Sequence, residues 1–312
     1  MDGADNFLVV IAGPTAVGKT ALAIELARHY QTEIISADSR QFYRELNIGT
    51  AKPSEAQLQA VPHHCINTKS ITELYGAGHF EKDVLALLDA LFQKHRMVIM
   101  TGGSGLYIDS VLKGVDAFEE VPPHIRESLN NSFANRGIDY LREELKAKDP
   151  LYYSKVDLHN PQRIIRALEV MEHSGKPYSS FLQAQEHARH FTPVKILVNC
   201  PREVLYQRIN ERVDQMMKDG LLEEVKGLMP HKNHNALKTV GYKELFDYLA
   251  GVWDLNTAVE KIKQHTRNYA KRQLTWFRNR DQFEEFAPND LEKLIAYLDT
   301  ILSHGQSTFL YK

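Results

Sequence analysis

Four short apolar runs punctuate an otherwise mixed chain: FLVVIAG (7–13), TEIISAD (32–38), RMVIMTGG (96–103) and VKILVNC (194–200). Each is rich in apolar and β-branched residues and closes on glycine or polar residues, the pattern of a strand buried on both faces. Between them apolar residues recur at every third or fourth position, in KTALAIELARHY after the first run and FEKDVLALLDALFQKH before the third. That period predicts amphipathic helices. Strand alternating with helix predicts an α/β fold, a doubly wound parallel sheet with its ligands at the carboxyl ends of the strands. From about Val115 to Pro193 the alternation stops, and only helical text remains, as in PPHIRESLNNSFANRG and NPQRIIRALEVMEHSG. The predicted organisation is a sheet core built from 1–114 and 194–312, interrupted by a mostly helical insertion at 115–193.

Composition narrows what such a chain can do. Its 312 residues are 43% hydrophobic and 25% charged, as in an ordinary globular protein with a full core. A net charge of −2 excludes a protein that coats nucleic acid by bulk electrostatics. It leaves room for a local basic face, because counterion release depends on the residues that meet the phosphates. Two cysteines, Cys65 and Cys200, are too few for a disulfide framework or a zinc site and suit a reducing compartment. His63, His64 and Cys65 are adjacent in VPHHCIN, and neighbouring side chains do not easily converge on one metal. The acidic start MDGADN predicts no secretory leader, and no stretch reaches membrane-spanning length. A cytoplasmic protein acting as a monomer is the working expectation.

The first run ends in GPTAVGKT, Gly13 to Thr20, which fits the phosphate-cradling pattern G-x-x-x-x-G-K-[ST] in full. With a strand before it and a helix after it, the core reads as P-loop NTPase-like. Loop N–H groups and the positive end of the helix dipole can surround a diphosphate, Lys19 adds a charge, and the Thr20 hydroxyl can hold Mg²⁺. Most such loops hold ATP or GTP, but the loop alone says nothing of what the diphosphate is attached to. Polar residues also mark the ends of the second and third runs. Asp38 and Gln41 lie in SADSRQFY, and Thr101 and Ser104 accompany Gly102, Gly103 and Gly105 in TGGSGLY. Asp38 reads equally as a functional carboxylate and as a helix N-cap or a plain Mg²⁺-ordering carboxylate, and TGGSG equally as a plain turn.

Two helices carry clustered cations. In HNPQRIIRALEVMEHSG, Asn160 is the predicted N-cap, Pro161 the first helical residue and Gly175 the stop. Ile164, Leu168 and Met171 form the apolar stripe and leave Gln162, Arg163 and Arg166 near another face. In KIKQHTRNYAKRQLTWFRNR, Lys263, Arg267, Lys271 and Arg278 recur at helical spacing with Tyr269, Trp276 and Phe277 interleaved, and no acid falls between Lys261 and Arg280. One such stripe is ordinarily a solvated face; two in a chain of net charge −2 favour a polyanionic partner.

The segments GPTAVGKTALAIELA, IISADSRQFYRELNIGTAKP, PHH, TGGSGLYI, NPQRIIRALEV, VGYKEL and YAKRQLTWFR, in this order, closely resemble the bacterial tRNA dimethylallyltransferases, also called isopentenyl-tRNA transferases. The likeness runs from about residue 8 to 280. It implies that the P-loop holds dimethylallyl diphosphate, not ATP. The five-carbon group then passes to N6 of the adenosine at position 37, beside the anticodon, in tRNAs that read codons starting with U. Carried onto this chain, the resemblance makes Gly13, Pro14, Thr15, Ala16, Val17, Gly18, Lys19 and Thr20 the donor site. It sets Asp38, Ser39, Arg40 and Gln41 against the target adenosine. Gln162, Arg163, Ile164, Ile165 and Arg166 become tRNA contacts, with Ser104 and Arg126 close by. The implied chemistry makes Asp38 the acceptor of the amine proton, while Lys19, Mg²⁺ at Thr20 and an arginine such as Arg212 stabilise the leaving diphosphate. Arg212, in QRINERVDQMM, reads equally as a helix-surface charge. The chain departs from many members, which read Gly-Gly-Thr where it has Gly102-Gly103-Ser104; the hydroxyl is kept. Eukaryotic relatives add a zinc finger, for which this sequence has no cysteines.

Overall fold

The computed structural model describes residues 6–115, 121–182, 188–280 and 282–307. The chain forms two compact units: Met1–Lys113 together with Ala188–Lys312, and Gly114–His187. In the first, six strands make one sheet in the order β3-β2-β4-β1-β5-β6. They are β1 (Phe7–Ala12), β2 (Ile34–Ser36), β3 (His63–His64), β4 (Met97–Gly102), β5 (Thr192–Val198) and β6 (Glu284–Phe286). Every pairing is parallel, and β1 sits in the middle with Ile11 opposite Thr101 of β4 and Ile196 of β5.

Strand alternation sends successive β1 side chains into two different layers. Val9 and Ile11 pack against α1 (Lys19–His29) and against residues of Arg202–Lys218 and Leu291–Ser307. Leu8, Val10 and Ala12 pack on the other face against residues of Ala77–Leu91 and Gly105–Lys113. Helices on both faces explain why β1 and β4 read as unbroken apolar runs: all six residues of each are buried. In chain order the remaining helices are α2 (Glu55–Ala60), α3 (Ala77–Leu91), α4 (Gly105–Lys113), α5 (Pro123–Lys148), α6 (Pro150–Tyr153), α7 (Pro161–Ser174), α8 (Arg202–Lys218), α9 (Leu221–Gly227), α10 (Tyr242–Leu249), α11 (Leu255–Arg280) and α12 (Leu291–Ser307). A third apolar cluster joins Phe42, Tyr43 and Leu46 to Val213, Leu221, Tyr242, Leu245 and Ile262 of α8 to α11. No described helix is long and apolar enough to cross a membrane.

Four strands fall within two or three residues of the apolar runs. The sequence pattern does not announce β3 and β6. Two residues carry no period, and Glu284 and Glu285 are exposed at the sheet edge, so β6 has no apolar run to find. His63 and His64 belong to β3, where His63 Nδ1 lies 2.7 Å from the Val61 carbonyl and His64 Nε2 2.6 Å from Glu33 Oε2.

The second unit is helical, with no strand among its described residues. α5 and α7 enclose a core of Leu141, Leu145, Ile164, Ile165 and Leu168. At Gly137 the backbone leaves the helical region with φ 76° and ψ −176°, so α5 is two helical segments in series. α7 begins as the sequence predicts: the Asn160 side chain accepts from the Arg163 N–H at 3.3 Å, and Pro161 opens the first turn. Gly175, at φ 70°, ends it.

Candidate active site

The P-loop turns on Gly13, Ala16 and Gly18, at φ 153°, 65° and 111°. A Cβ on Gly13 would lie 2.4 Å from the Val198 carbonyl oxygen of β5, so the loop passes too close to the sheet for any side chain there. Gly18 precedes α1 without a side-chain cap, which leaves first-turn N–H groups available to an anion. Lys19 Nζ donates to the Pro14 carbonyl at 2.7 Å, folding its stem back over the loop. Burial, and then the Arg212 guanidinium, bring the Lys19 pKa down from 10.5 to about 7, while Asp38 acts the other way. Arg208 of α8 donates to the Val17 carbonyl at 3.0 Å.

Past β2, Asp38 Oδ1 accepts from the Arg40 N–H at 2.9 Å. Burial raises the Asp38 pKa, against the lowering effect of that N–H, of Lys19 and of Arg40. The adjoining Ser39 N–H donates to Ser104 Oγ at 2.9 Å, which ties the end of β2 to the loop after β4. Close backbone approach requires the glycines of that loop. A Cβ on Gly102 would lie 2.1 Å from the Ala37 carbonyl, and one on Gly105 would lie 2.2 Å from the Trp276 ring. Gln41 is placed differently from its neighbours. Its amide nitrogen bonds the Thr50 and Ala51 carbonyls at 3.2 Å each, and its oxygen accepts from Ser36 at 3.0 Å. It holds the 50–51 turn against β2.

These strand ends open on a cavity of about 490 Å³ whose walls all come from the first unit. Thr15, Asp38, Ser39, Arg40 and Arg212 line one part; Val213, Met216, Leu221 and Ile262 give it an apolar side. Arg212 is therefore a cavity residue, half-buried, and its desolvation lowers its pKa. Tyr269 and Arg272 of α11 supply a further wall. Among the described residues no group of three or more His, Cys, Asp or Glu side chains could hold a metal. A cation beside Thr20 would have to take most of its ligands from the bound diphosphate, a donor set that suits Mg²⁺.

One side chain joins the two loops that face each other across the strand ends. Gln273 of α11, 6% exposed, accepts from the Thr15 N–H at 2.9 Å and donates to the Gly103 carbonyl at 2.8 Å. A Cβ on Gly103 would lie 2.1 Å from its amide nitrogen. One buried amide thus bridges the P-loop and the β4 loop, just beyond the last paired residues of β1 and β4.

The family model described as IPP transferase matches residues 41–280. The chain belongs to the IPP transferase family. It is 48% identical over 300 residues to a tRNA dimethylallyltransferase of Flavobacterium johnsoniae, covering 94% of this chain and 97% of that protein. It is 50% identical over 290 residues to one of Christiangramia forsetii, covering 93% and 96%. Among solved structures, the full-length tRNA isopentenylpyrophosphate transferase of Bacillus halodurans superposes with a TM-score of 0.72 at 32% identity, over 97% of this chain and 99% of that one. A eukaryotic dimethylallyltransferase acting on tRNA gives 0.81 at 25% identity, over 96% and 80%.

The second unit holds the rest of the residues that the family resemblance nominates, and it sorts them. Ile164 and Ile165 are 0% exposed and packed in the core, so their side chains support α7 and cannot touch RNA. This corrects the expectation drawn from the motif, because a contiguous stretch of helix necessarily points some residues inward. Arg163 and Gln162 are exposed. Arg126 donates through Nη1 to both carboxylate oxygens of Glu169 at 3.1 Å, and through Nη2 to Gln162 at 3.3 Å. Arg166 donates to the same Glu169 at 2.6 Å.

The basic stripe of α11 is ion-paired within the chain at two of its four cations. Lys263 is held by Asp214 at 2.8 Å and Glu260 at 3.0 Å, and Arg278 by Glu285 at 3.2 Å. Arg267 bonds Asn210 at 2.7 Å. Asp214 and Glu285 lie outside the stretch, on elements that only the fold brings alongside, so local sequence overstates the charge left for a partner. Sequence reasoning also passed over Gln273 and Glu169. Gln273 has a signal in retrospect: it stands four residues after Tyr269 and three before Trp276, the helical spacing of one face.

Proposed function

We propose that this protein transfers the dimethylallyl group of dimethylallyl diphosphate to N6 of adenosine 37 in tRNAs reading codons that begin with U, in the cytoplasm and as a monomer. The observation that carries the reading is a cavity that takes both Thr15 of the P-loop and Asp38 of the β2 end into its walls. A diphosphate on the loop would present its attached carbon to a nucleophile held at Asp38.

In the step proposed, the bond between the donor's C1 and its diphosphate oxygen breaks, the N6–C1 bond forms, and the amine proton passes to Asp38. An exocyclic adenine amine becomes acidic only as that bond forms, so a carboxylate suffices as acceptor, and burial of Asp38 makes it a stronger base. Lys19, the loop N–H groups and Arg212 take up charge that gathers on the leaving diphosphate. When bound at Thr20 with the diphosphate oxygens, Mg²⁺ supplies further neutralisation of that charge. Ser104 holds the Ser39 backbone beside Asp38 and keeps the carboxylate aimed. The target base must leave its stack to reach a pocket, which an anticodon loop permits. Arg126, Arg163 and Arg166 are the proposed grip on its phosphates.

Incubation with tRNA, dimethylallyl diphosphate and Mg²⁺, followed by digestion and mass analysis of the nucleosides, is expected to yield an adenosine heavier by one C5H8 unit. Unmodified tRNA, with ADP released from ATP and a small acceptor, would assign the loop to a kinase instead.

A further inference from the structure

Glu169 is a carboxylate 2% exposed on the otherwise apolar side of α7, and it has two cations instead of one. Arg166 reaches it from one turn earlier on the same helix, and Arg126 reaches it from α5 with both oxygens in range of one Nη1. The trio carries a net positive charge. Both arginine side chains stay accessible while anchored, Arg126 at 45% and Arg166 at 38%. Gln162 is fastened to the same assembly through Arg126. An arginine on a solvated helix ordinarily samples many rotamers, and loses that freedom when it meets a phosphate. Here two arginines from two helices are ordered in advance around one buried acceptor.

We propose that Glu169 is a positioning residue for RNA: it fixes Arg126 and Arg166 as a preformed pair that receives backbone phosphate. The inference rests on the reading of this unit as the tRNA grip. It makes a prediction whose sign simple electrostatics would reverse. Glu169→Gln removes a negative charge beside the phosphate site, so charge alone predicts tighter tRNA binding. Positioning predicts weaker binding, because the amide has one acceptor oxygen and no charge with which to order two guanidinium groups.

The test is tRNA affinity over a salt series for the wild type, Glu169→Gln, Arg126→Ala plus Arg166→Ala, and the triple variant, with melting curves to set a temperature at which all are folded. Glu169→Leu replaces the Gln variant if the latter melts too early, since it requires no buried hydrogen bond. The expected result is a loss of about three- to tenfold in Glu169→Gln with a shallower salt slope, and no further loss when the change is added to the arginine double variant. Equal or tighter binding by Glu169→Gln, where the arginine variant is weakened, would overturn positioning and leave the grip intact. Unchanged binding in the arginine double variant would overturn both. Modification of tRNA by the wild type, measured alongside, tests the activity independently of either.

Discussion

At Gly13–Thr20 the polar groups offered to a ligand belong to the backbone, set by three residues at positive φ and by one lysine folded over the loop. On α7 and α5 they belong to long side chains, set by a buried carboxylate. On the proposed function, the difference follows from the anions. A small diphosphate can be surrounded by N–H groups of a single turn, whose geometry is fixed as soon as the chain has folded. Phosphates of a folded RNA are spread over many ångströms, and only side chains from separate helices can reach several of them. The first arrangement must be written locally, as a motif. The second depends on residues forty positions apart.

The largest effect that would break this contrast is at Asp38. Asp38→Asn keeps the shape of the site and removes the proton acceptor, so turnover is expected to fall by about 10²–10⁴-fold with tRNA affinity little changed. Turnover within a few-fold of wild type, measured at saturating donor, would leave Asp38 as the turn-forming residue its bond to Arg40 also describes.

Next comes the amide that registers the two loops. Gln273→Ala leaves the Thr15 N–H and Gly103 carbonyl without their partner, and a displacement of about 1 Å between reacting groups can cost about 100-fold in rate. The expectation is a drop in kcat with the donor KM little altered. A change in KM alone would mean that the amide serves donor binding, not register.

In the second unit, Arg163→Ala plus Arg166→Ala should flatten the slope of log tRNA affinity against log salt by about one to two units and leave donor binding as it was. Lys263→Ala, run beside it, should barely move that slope, because Asp214 and Glu260 already neutralise Lys263. Equal effects in the two would restore α11 as a phosphate-facing stripe.

The smallest effect concerns protons. Lys19 titrates near 7 in the empty site because of burial, and a bound diphosphate returns it towards 10.5. Donor binding should therefore take up as much as one proton between about pH 7 and 10, with affinity falling by at most about tenfold per pH unit above 7. Titration calorimetry in buffers of different ionisation heat measures the uptake. The sign is opposite for the empty protein's stability, which rises over that interval, because there the unfolded chain binds more protons than the folded one. Proton release on donor binding would exclude Lys19 as the group responsible.

Legibility followed the same division. The P-loop, the four central strands and the ends of α7 could all be read from the sequence, because each is specified within about ten residues by apolar runs, glycine and an Asn-Pro start. Edge strands β3 and β6 could not, since pairing with a neighbour makes them strands and their own residues do not. The inward turn of Ile164 and Ile165 follows from the helical period, which a list of motif residues ignores. The ion pairs of Lys263 and Arg278 on α11 required knowing that Asp214 and Glu285 would arrive from elsewhere.

Glu224 of α9 gathers the backbone N–H groups of Asn47, Ile48 and Gly49 at 2.8–3.1 Å, and takes the Tyr242 hydroxyl at 2.6 Å. Among the described residues, the first unit therefore holds, besides the P-loop, a backbone cradle already filled by the chain's own carboxylate. A tethered occupant is always present at high effective concentration, so free phosphate or sulfate in the medium competes poorly there. Amide hydrogens at 47–49 are expected to exchange with solvent only when α9 and the turn come apart. At Gly18 no side chain caps the first turn of α1, so on the proposed function the amides there are expected to gain protection only from bound diphosphate.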